Sequence, residues 1–379
     1  LDLGQRLCMM VGLAAGRRAA FTFGRRHDRH RNQHRFSHRK PPSLLQNKVK
    51  SPVSNKLQDL LSKRDWLLAD GATGTNMFAM GLQHGDAPEL WNLHEQDKIK
   101  AHYRSFTEAG SDIVLTNTFG GTANRLRLHK AEDQVYELNK VAAELLQEVI
   151  AETDREIICG GSVGPTGDLL VPLGPLTYED AVAAFEAQCI GLRDGGADVA
   201  WIETMSSPEE LNAAIEGATK AGLPVVCTLS FDTNGRTMMG ISPTDLVDLA
   251  HNSTPLPIAF GGNCGTGAAE LVAAISKMRD AGGDTDIRIA KANCGIPEFK
   301  DGEVVYNGTP ELMARYAVMA HDAGARIIGG CCGTTPAHIK AMRQALEAHV
   351  RGPAPSLEDI VAELGDVAKG KDLEAASAE

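Results

Sequence analysis

The sequence predicts a protein of the α/β class, a single (β/α)8 barrel spanning residues 56–350. From residue 66 onward, short apolar runs that end in Gly, Asn or Asp alternate with amphipathic stretches of helical period, and this unit repeats eight times. Apolar runs separated by helices indicate parallel strands buried on both faces. Eight units in about 285 residues fit a closed barrel better than the alternative, an open doubly wound sheet. No GxGxxG motif supports a dinucleotide site.

One strand is expected at the start of each unit, and a helix is expected to follow it. The predicted strands are WLLAD (66–70), DIVLTNTF (112–119), EIICGGSVG (156–164), DVAWIETM (198–205), PVVCTLSF (224–231), PIAFGGNCG (257–265), RIAKANCG (288–295) and ARIIGGCCG (325–333). Ser or Thr, in most cases directly before Pro, is typical of a first helical turn. Such starts occur at Thr177, Ser207-Pro208, Ser242-Pro243, Thr309-Pro310 and Thr335-Pro336. Left-handed glycines are expected to end helices at Gly110, Gly196, Gly222 and Gly324.

Both ends of the chain differ in composition from the predicted barrel. Residues 1–50 contain 12 of the 38 Lys and Arg, four His and only two acidic residues, which predicts a basic, disordered leader over residues 1–55. Three interpretations of the leader remain open: a presequence, a nucleic-acid or surface-binding arm, or translated upstream sequence outside the working protein. Residues 351–379 are acidic and predict one appended helix and a frayed tail. That helix could pack on a sister subunit, so a homo-oligomer is left open.

Charge and cysteine content point to small-molecule chemistry in a reducing compartment. The formal net charge of −11 argues against a nucleic-acid binder, which needs a clustered basic surface. Outside the leader, no run reaches the roughly 18 consecutive apolar residues of a membrane span. The eight cysteines come without a clear secretion signal, so they do not imply a disulfide framework. We therefore expect a cytoplasmic protein whose partners are small molecules.

Polar side chains gather at the carboxyl ends of the predicted strands, where a barrel of this kind carries its reactive groups. They are Asp70, Asn117, Ser162, Glu203, Ser230, Asp232, Asn263, Cys264, Asn293, Cys294, Cys331 and Cys332. Such a ring is too polar for a purely structural rim.

Three of these cysteines are candidate zinc ligands. Cys264 ends strand six, while Cys331 and Cys332 end strand eight, so only strand seven separates them around a closed barrel. Three thiolates leave the fourth tetrahedral position of one Zn²⁺ open, as in a catalytic site. The alternative, a small buried side chain, suits Cys159, Cys189 and Cys227. It does not suit two adjacent cysteines between glycines, because successive strand side chains face opposite ways. Cys294 could be a fourth ligand that closes the site.

Five ordered motifs carry a family resemblance that runs from about Trp66 to Val350. They are DGATGTNM (70–77), TNTFGG (116–121), SFDTNGRTMMG (230–240), GGNCGTG (261–267) and GGCCGTTPAHI (329–339). Together they resemble the homocysteine S-methyltransferase family. That family has a TIM barrel and includes betaine-homocysteine methyltransferases and the homocysteine-binding barrel of cobalamin-dependent methionine synthase. The chain looks most similar to stand-alone bacterial betaine-homocysteine methyltransferases.

The resemblance implies specific roles for residues at the strand ends. It places zinc on Cys264, Cys331 and Cys332, with the sulfur of homocysteine as the fourth ligand, so these cysteines would be the catalytic residues. It further implies that Asp70 and Glu203 hold the substrate ammonium, and that backbone N–H groups near Gly74 and Thr75 hold its carboxylate. Asn117 is a further candidate for substrate contact. The structural alternatives are a helix N-cap for Asp70 and a buried salt bridge for Glu203.

The methyl donor must carry its methyl group on a positively charged atom, because the leaving group then departs neutral. Glycine betaine is the preferred donor; S-methylmethionine, a dimethylsulfonium acid and methylcobalamin on a separate corrinoid protein are alternatives. Trp91 could bind a trimethylammonium group by a cation–π contact or could simply anchor a loop. Animal-type betaine enzymes have a Tyr after the Thr-Phe pair, whereas Gly120 follows Phe119 here. Tyr178 or Tyr306 could supply the missing aromatic contact.

Two other classes of function compete with a methyltransferase. A structural or zinc-sensing site on a binding barrel would use four ligands, with Cys294 included, and would transfer no methyl group. A zinc hydrolase would use His and Asp ligands with a general base beside the water. The predicted strand ends contain no His. We therefore expect an enzyme that methylates homocysteine to methionine.

Overall fold

The computed structural model describes residues 55–295, 297–300 and 303–367. The predicted leader therefore lies outside the described residues apart from Asn55, and so does the tail from residue 368 onward. Within the described ranges the helices are α1 (Lys56–Lys63), α2 (Gly74–Ala79), α3 (Trp91–His94), α4 (Gln96–Ala109), α5 (Ala123–Leu126), α6 (Val135–Ile150), α7 (Tyr178–Asp194), α8 (Pro208–Lys220), α9 (Pro243–Asn252), α10 (Ala268–Ala281), α11 (Pro310–Asp322), α12 (Pro336–Ala348) and α13 (Leu357–Leu364). Short 3-10 turns occur at Pro88–Leu90, Arg127–His129 and Glu132–Gln134.

Eight parallel strands form the barrel, as predicted. They are β1 (Leu67–Leu68), β2 (Ile113–Leu115), β3 (Ile158–Val163), β4 (Val199–Met205), β5 (Val225–Leu229), β6 (Ala259–Cys264), β7 (Arg288–Ala292) and β10 (Ala325–Gly330). Their order is β1-β10-β7-β6-β5-β4-β3-β2, and a parallel bridge between Ala69 and Ile113 joins the two end strands. The sheet is therefore a closed (β/α)8 barrel, and the doubly wound alternative is excluded.

An antiparallel hairpin interrupts the barrel pattern. Its strands, β8 (Pro297–Lys300) and β9 (Glu303–Tyr306), lie between β7 and α11 and pair only with each other among the described strands. These two strands are not among those predicted from the sequence. The hairpin follows the carboxyl end of β7, so it belongs to the same end of the barrel as the polar strand ends.

The predicted helix starts are confirmed by their caps. Thr177, Ser207, Ser242 and Thr309 each accept a hydrogen bond from the backbone N–H three residues later. Thr335 forms a reciprocal capping box with His338 at the start of α12. These bonds satisfy N–H groups that a helix leaves unpaired in its first turn. The four glycines predicted after helices all adopt left-handed backbone, with φ between 86° and 112°.

The barrel interior is apolar at the amino ends of the strands, and α1 covers it there. Inward side chains such as Ile113, Trp201 and Ile327 form one buried cluster with Leu57, Leu60 and Leu61 of α1. Lys56 ties this helix to the barrel through Asp198, with Nζ and Oδ2 separated by 3.1 Å. A second, larger cluster lies between the strands and the outer helices.

A buried carboxylate also ties elements together at this end. Asp112, just before β2, accepts hydrogen bonds from Arg64, Arg155 and Arg343, at oxygen–nitrogen distances between 2.7 and 3.1 Å. It also accepts from the backbone N–H of Leu68 at 3.0 Å. One side chain thereby links α12, the segment before β1 and the segment before β3. Over the described residues, no helix combines the length and apolar character needed to cross a membrane.

Candidate metal and substrate site

Three cysteine thiols converge at the carboxyl end of the barrel. Cys264 is the last residue of β6, and Cys331 and Cys332 directly follow β10. The Sγ atom of Cys264 lies 2.9 Å from that of Cys331 and 3.7 Å from that of Cys332. All three sulfurs lie within 4.8 Å of one another. Tetrahedral Zn²⁺ with bonds of about 2.3 Å separates its sulfur ligands by about 3.8 Å, so the donor set fits such an ion with small adjustments.

Local backbone conformation brings the thiols together. Cys264 has φ +56°, a left-handed conformation that is uncommon for a residue with a side chain, and Gly265 continues the turn with φ +72°. Gly333, after the cysteine pair, has φ +77°, and a Cβ there would lie 2.3 Å from the ring of Tyr306. This glycine is therefore required both by its backbone and by the close approach of Tyr306.

Asn293 connects the two loops that carry the thiols. Its side-chain amide donates to the carbonyl of Gly265 at 2.8 Å and accepts from the backbone N–H of Cys332 at 3.1 Å. Cys331 is further fixed by its N–H, which donates to the carbonyl of Ala292 at 2.6 Å. Asn293 thus fixes the position of the thiols without having to touch a ligand.

The thiols influence one another's ionisation. Hydrogen bonds from Cys264 and Cys332 lower the pKa of Cys331, and Lys291 acts in the same direction. The hydrogen bonds that Cys264 makes with Cys331 and Cys332 raise the pKa of Cys264. One thiolate therefore forms readily in the cluster, and the next costs more because it forms beside an existing negative charge.

Cys294 lies outside this thiol cluster. Its Sγ atom donates to the carbonyl of Gly308 at 3.3 Å and lies 3.2 Å from Nε2 of His338, and burial raises the pKa of Cys294 to about 11. Nδ1 of His338 accepts from the backbone N–H of Thr335, so the neutral ring carries its proton on Nε2. Cys294 is therefore part of a hydrogen-bonded brace between the hairpin end and α12. In the described ranges, the cysteine group suited to a metal has three members.

Asn263 lies beneath the thiols and holds an unusual residue in place. Its Oδ1 accepts from the N–H of Thr204 at 2.9 Å and from the hydroxyl of Thr228 at 2.7 Å. Its Nδ2 donates to the hydroxyl of Thr204 and approaches Sγ of Cys331 at 3.9 Å. Thr204 has φ +63°, in a part of β4 where the register to β5 shifts. Such irregularities re-aim side chains, here that of the preceding residue, Glu203.

Glu203 is the carboxylate beside the thiols that retains some exposure, 8%. Its Oε1 accepts from the hydroxyl of Ser162 at 2.5 Å. Burial raises the pKa of Glu203 to about 7, although the positive charge of Lys291 works in the opposite direction. Near neutral pH this group can therefore change charge in response to a bound cation.

Asp70 is buried and already paired. Its Oδ1 lies 2.6 Å from Nζ of Lys291, and its Oδ2 accepts from the N–H of Leu115 at 2.8 Å. The buried salt bridge considered for Glu203 is thus found at Asp70, and the N-cap of α2 is Thr73 rather than Asp70. Lys291 was not singled out in the sequence.

Gly74 and Thr75 form the first turn of α2, whose N–H groups have no acceptor within the helix. Space beside Gly74 is open, because a Cβ there would meet no atom within 4 Å. The hydroxyl of Thr75 accepts from the N–H of Gly333 at 3.3 Å, which joins this turn to the loop of Cys331 and Cys332. The predicted carboxylate contacts are therefore tied to the thiol loop.

Trp91 and Asn117 make structural contacts. Nζ of Lys98 lies 4.5 Å from the ring centre of Trp91, so an internal cation already covers one face of the indole. The side-chain amide of Asn117 donates to the carbonyl of Pro88 at 2.7 Å and to Asn92 at 3.1 Å. These contacts favour the loop-anchoring alternative for Trp91 and a bracing role for Asn117.

The residues proposed to replace the missing tyrosine differ in position. A Cβ on Gly120 would lie 2.8 Å from Oε1 of Glu89, which accepts from the N–H of Gly120, so a side chain there would require Glu89 to move. The hydroxyl of Tyr178 donates to Glu216 at 3.0 Å on the outer helices. Tyr306 lies at the thiol cluster: burial raises its pKa, and Cys332, to which it is hydrogen-bonded, adds to the rise. Tyr306, rather than Tyr178, is therefore the tyrosine beside the thiols.

Comparison with known proteins agrees with this architecture. A family model described as homocysteine S-methyltransferase matches residues 67–346. Methionine synthase of Mycobacterium tuberculosis is 31% identical over 315 residues, which cover 78% of this chain and 26% of that protein. Methionine synthase of Mycobacterium leprae is 29% identical over 307 residues, covering 76% of this chain and 25% of that protein. The chain thus spans about a quarter of the length of these curated relatives.

A solved structure of similar size extends the comparison. The metallated form of the homocysteine methyltransferase MmuM from Escherichia coli superposes with a TM-score of 0.62 at 25% identity, covering 76% of this chain and 99% of that one. Fold and site together define a (β/α)8-barrel protein of the methyltransferase class, with a thiol-rich centre at the carboxyl ends of its strands. The chain belongs to the homocysteine S-methyltransferase family.

Proposed function

We propose that this protein is a zinc-dependent methyltransferase that moves a methyl group from a small cationic donor, first of all glycine betaine, to homocysteine and so forms methionine. The observation that carries the proposal is the convergence of Cys264, Cys331 and Cys332 in a member of this family. Three thiols without a fourth protein ligand leave room for a substrate sulfur. The closed-site alternatives, structural or zinc-sensing, lack support because Cys294 is engaged elsewhere.

The residues around the thiols have distinct tasks in this scheme. Glu203 accepts the ammonium group of homocysteine, and the free N–H groups near Gly74 and Thr75 bind its carboxylate. A bound Zn²⁺ would hold the acceptor sulfur as a thiolate at neutral pH. Asn263 and Asn293 keep the three cysteines in place through the hydrogen bonds described above.

The donor carbon is attacked by the acceptor sulfur. A sulfur–carbon bond forms while the carbon–nitrogen bond of betaine breaks, and the electron pair of that bond stays on nitrogen, which leaves as a neutral amine. The ring of Tyr306, beside Cys332, is the aromatic surface we assign to the quaternary ammonium group of the donor before the methyl group is transferred. Trp91 is not needed for this contact.

A second donor is favoured by a specific observation. The relatives from the two mycobacteria are methionine synthases, and this chain matches only about a quarter of each. A methyl group carried by cobalamin on a separate corrinoid protein is the alternative donor, because the sequence motifs also resemble the homocysteine-binding barrel of cobalamin-dependent methionine synthase. It would need a macromolecular partner, whereas betaine would not.

The test is methionine formation, measured by mass spectrometry, from zinc-loaded protein and homocysteine. Glycine betaine, a dimethylsulfonium acid, S-methylmethionine and methylcobalamin are supplied in parallel. Turnover with betaine alone supports the proposal, and turnover with methylcobalamin alone selects the corrinoid alternative. Silence with every donor, in protein shown to hold one zinc, would overturn the proposed small donors.

Cys332→Ala tests the metal and the chemistry together. Loss of one of three thiolate ligands is expected to remove both the bound zinc and the activity. Zinc content is measured by elemental analysis and turnover by the same methionine assay. Cys189→Ala, which removes a buried thiol on α7, is the matched control and is expected to retain zinc. A Cys332→Ala protein with full zinc and turnover would exclude this residue from the site.

A further inference from the structure

Lys291 is a buried cation beneath the proposed substrate site. It occupies an inward position of β7, with only 2% of its side chain exposed, and its Nζ contacts Oδ1 of Asp70 at 2.6 Å. The same ammonium lies 5.4 Å from the ring centre of Trp201, on the opposite part of the barrel wall. Lysine is rarely buried so completely unless its charge is compensated.

The surroundings keep this lysine charged. Burial favours the neutral amine, but the negative charges of Asp70 and Glu203 outweigh it and raise the pKa of Lys291. A charged ammonium therefore remains on Asp70, one of the two carboxylates that the sequence resemblance assigned to the substrate. The resemblance places the amino group of a bound amino acid at this position. Here the side chain of Lys291 supplies the ammonium group instead.

Asp70 has little capacity left for a second cation. Its side chain is 1% exposed, one oxygen contacts Lys291 and the other accepts from Leu115. A substrate ammonium would have to displace Lys291 and leave that charge buried without a partner, which is strongly unfavourable. Among the described residues, Glu203 has no cation within hydrogen-bonding distance, and the side chain that contacts it is the hydroxyl of Ser162.

We propose that Lys291 is a specificity-determining residue that occupies the ammonium position on Asp70 and leaves Glu203 as the single carboxylate for the amino group of the acceptor. The inference rests on the proposed function and names how this site recognises its thiol substrate. Recognition of the amino group is then weaker than a two-carboxylate site would allow. Removing the charge of Lys291 would free Asp70 and strengthen the recognition of the amino group.

The test compares two thiols that differ only in the amino group, homocysteine and 4-mercaptobutyrate. Dissociation constants for both are measured by calorimetry on zinc-loaded protein, and their ratio reports the preference for the amino group. In Glu203→Gln the preference should fall at least about tenfold, because a charge-assisted hydrogen bond is lost. In Lys291→Met it should rise about tenfold, because Asp70 becomes available.

A double variant keeps the inference testable if Lys291→Met does not fold. Asp70→Asn/Lys291→Met replaces the buried ion pair by a neutral pair of similar volume, a change that is often tolerated. Its preference should equal that of the wild type, because Glu203 acts alone in both. A lost preference in the double variant would show that Asp70 binds the amino group and would overturn the inference.

Two further measurements separate the possible failures. Lys98→Met removes a lysine outside the site and should leave the preference unchanged, which controls for the overall loss of charge. Wild-type protein that holds zinc but binds no homocysteine would overturn the proposed function and the inference with it. Wild-type binding with an unchanged preference in Lys291→Met overturns the inference alone.

Discussion

Thr204 and Cys264 both hold left-handed backbone beside the thiol cluster, with φ of +63° and +56°. Such a conformation costs a β-branched residue about 1–3 kcal/mol and persists only where neighbours enforce it. At Thr204 the neighbour is Asn263, which bonds both the backbone N–H and the hydroxyl. In the proposed function this cost has a purpose, because the two residues orient Glu203 and a thiol at the same end of the barrel.

Glu203 makes stability depend on pH. Its pKa is about 7 in the folded protein against an ordinary value of 4.5, so between these values the folded state holds a proton that the unfolded chain releases. Stability therefore falls as pH rises through this window, by on the order of 3 kcal/mol. Glu203→Gln removes this dependence, so its stability relative to wild type should improve from pH 4.5 to pH 8. Urea unfolding of the metal-free proteins measures the difference, and parallel pH profiles would contradict the prediction.

The residues of the site differ in how visible they are in the sequence. The cysteine pair was recognisable because two adjacent thiols between glycines do not fit a strand core. Lys291 was not, because a lone lysine in the run RIAKA resembles a solvent-facing residue. Only closure of the barrel reveals that this position faces inward and meets Asp70. Long-range pairing of this kind leaves no local signal.

Among the elements, α1 is the helix that covers the amino ends of the strands. The leucine side chains of Leu57, Leu60 and Leu61 complete the inner core there. The sequence placed this segment in the barrel region, but no pattern in it predicted a covering role. A covering helix is hard to predict from pattern alone, because its apolar stripe looks like that of any surface helix.

Leu60→Ala tests whether α1 stabilises the barrel by covering the amino ends of its strands. Leu60 is 2% exposed, and its truncation should lower the free energy of unfolding by about 3 kcal/mol, since a cavity forms in the barrel interior. Leu357→Ala is the matched control: the same substitution at a leucine that is 59% exposed should change stability by less than about 0.5 kcal/mol. Denaturant unfolding compares the two variants, and equal losses would contradict the covering role.

Strand and helix boundaries show where local patterns succeed. Helix starts were predicted correctly at Ser and Thr caps, since those bonds are local. Seven of the eight strands end earlier than predicted, and β4 ends at Met205 as predicted; β2, for example, ends at Leu115 rather than at residue 119. The residues beyond it turn into loops that carry the polar groups. The hairpin was missed although Asp301-Gly302 between PEFK and EVVY is a known turn signal in the sequence.

At the scale of the whole molecule, the proposed site and the contacts that stabilise the fold lie at opposite ends of the barrel. Thiols, strained backbone and Glu203 lie at the carboxyl ends of the strands, whereas α1 and the arginines around Asp112 lie at the other end. The eight-unit repeat was sufficient to predict the closed barrel. The side chains that close the barrel at the amino ends of its strands could not be predicted in this way, because they pair with residues distant in sequence.

Asp112→Asn tests the cluster at that end. The amide keeps the size but not the charge, so Arg64, Arg155 and Arg343 lose their common anion. We expect a loss of about 2–3 kcal/mol in the free energy of unfolding, with zinc content unchanged. Asp280→Asn, which alters an exposed ion pair with Arg279, is the control and should lose far less. A neutral outcome for Asp112→Asn would show that the arginines are independently solvated.

The barrel is closed by the fewest strand pairings at its shortest strand, β1. β1 pairs with β10 through two residues only, and a single bridge from Ala69 reaches β2. Asp70 reinforces this place, because its carboxylate joins β1 to Leu115 of β2 and to Lys291 of β7. We therefore expect local opening of the barrel to begin here. Backbone amide hydrogens of residues 67–70 should exchange with solvent faster than those of β4. The Asp70–Lys291 contact thus serves both the proposed substrate discrimination and the closure of the barrel, so a substitution at Lys291 that changes the acceptor preference should also change how often the barrel opens.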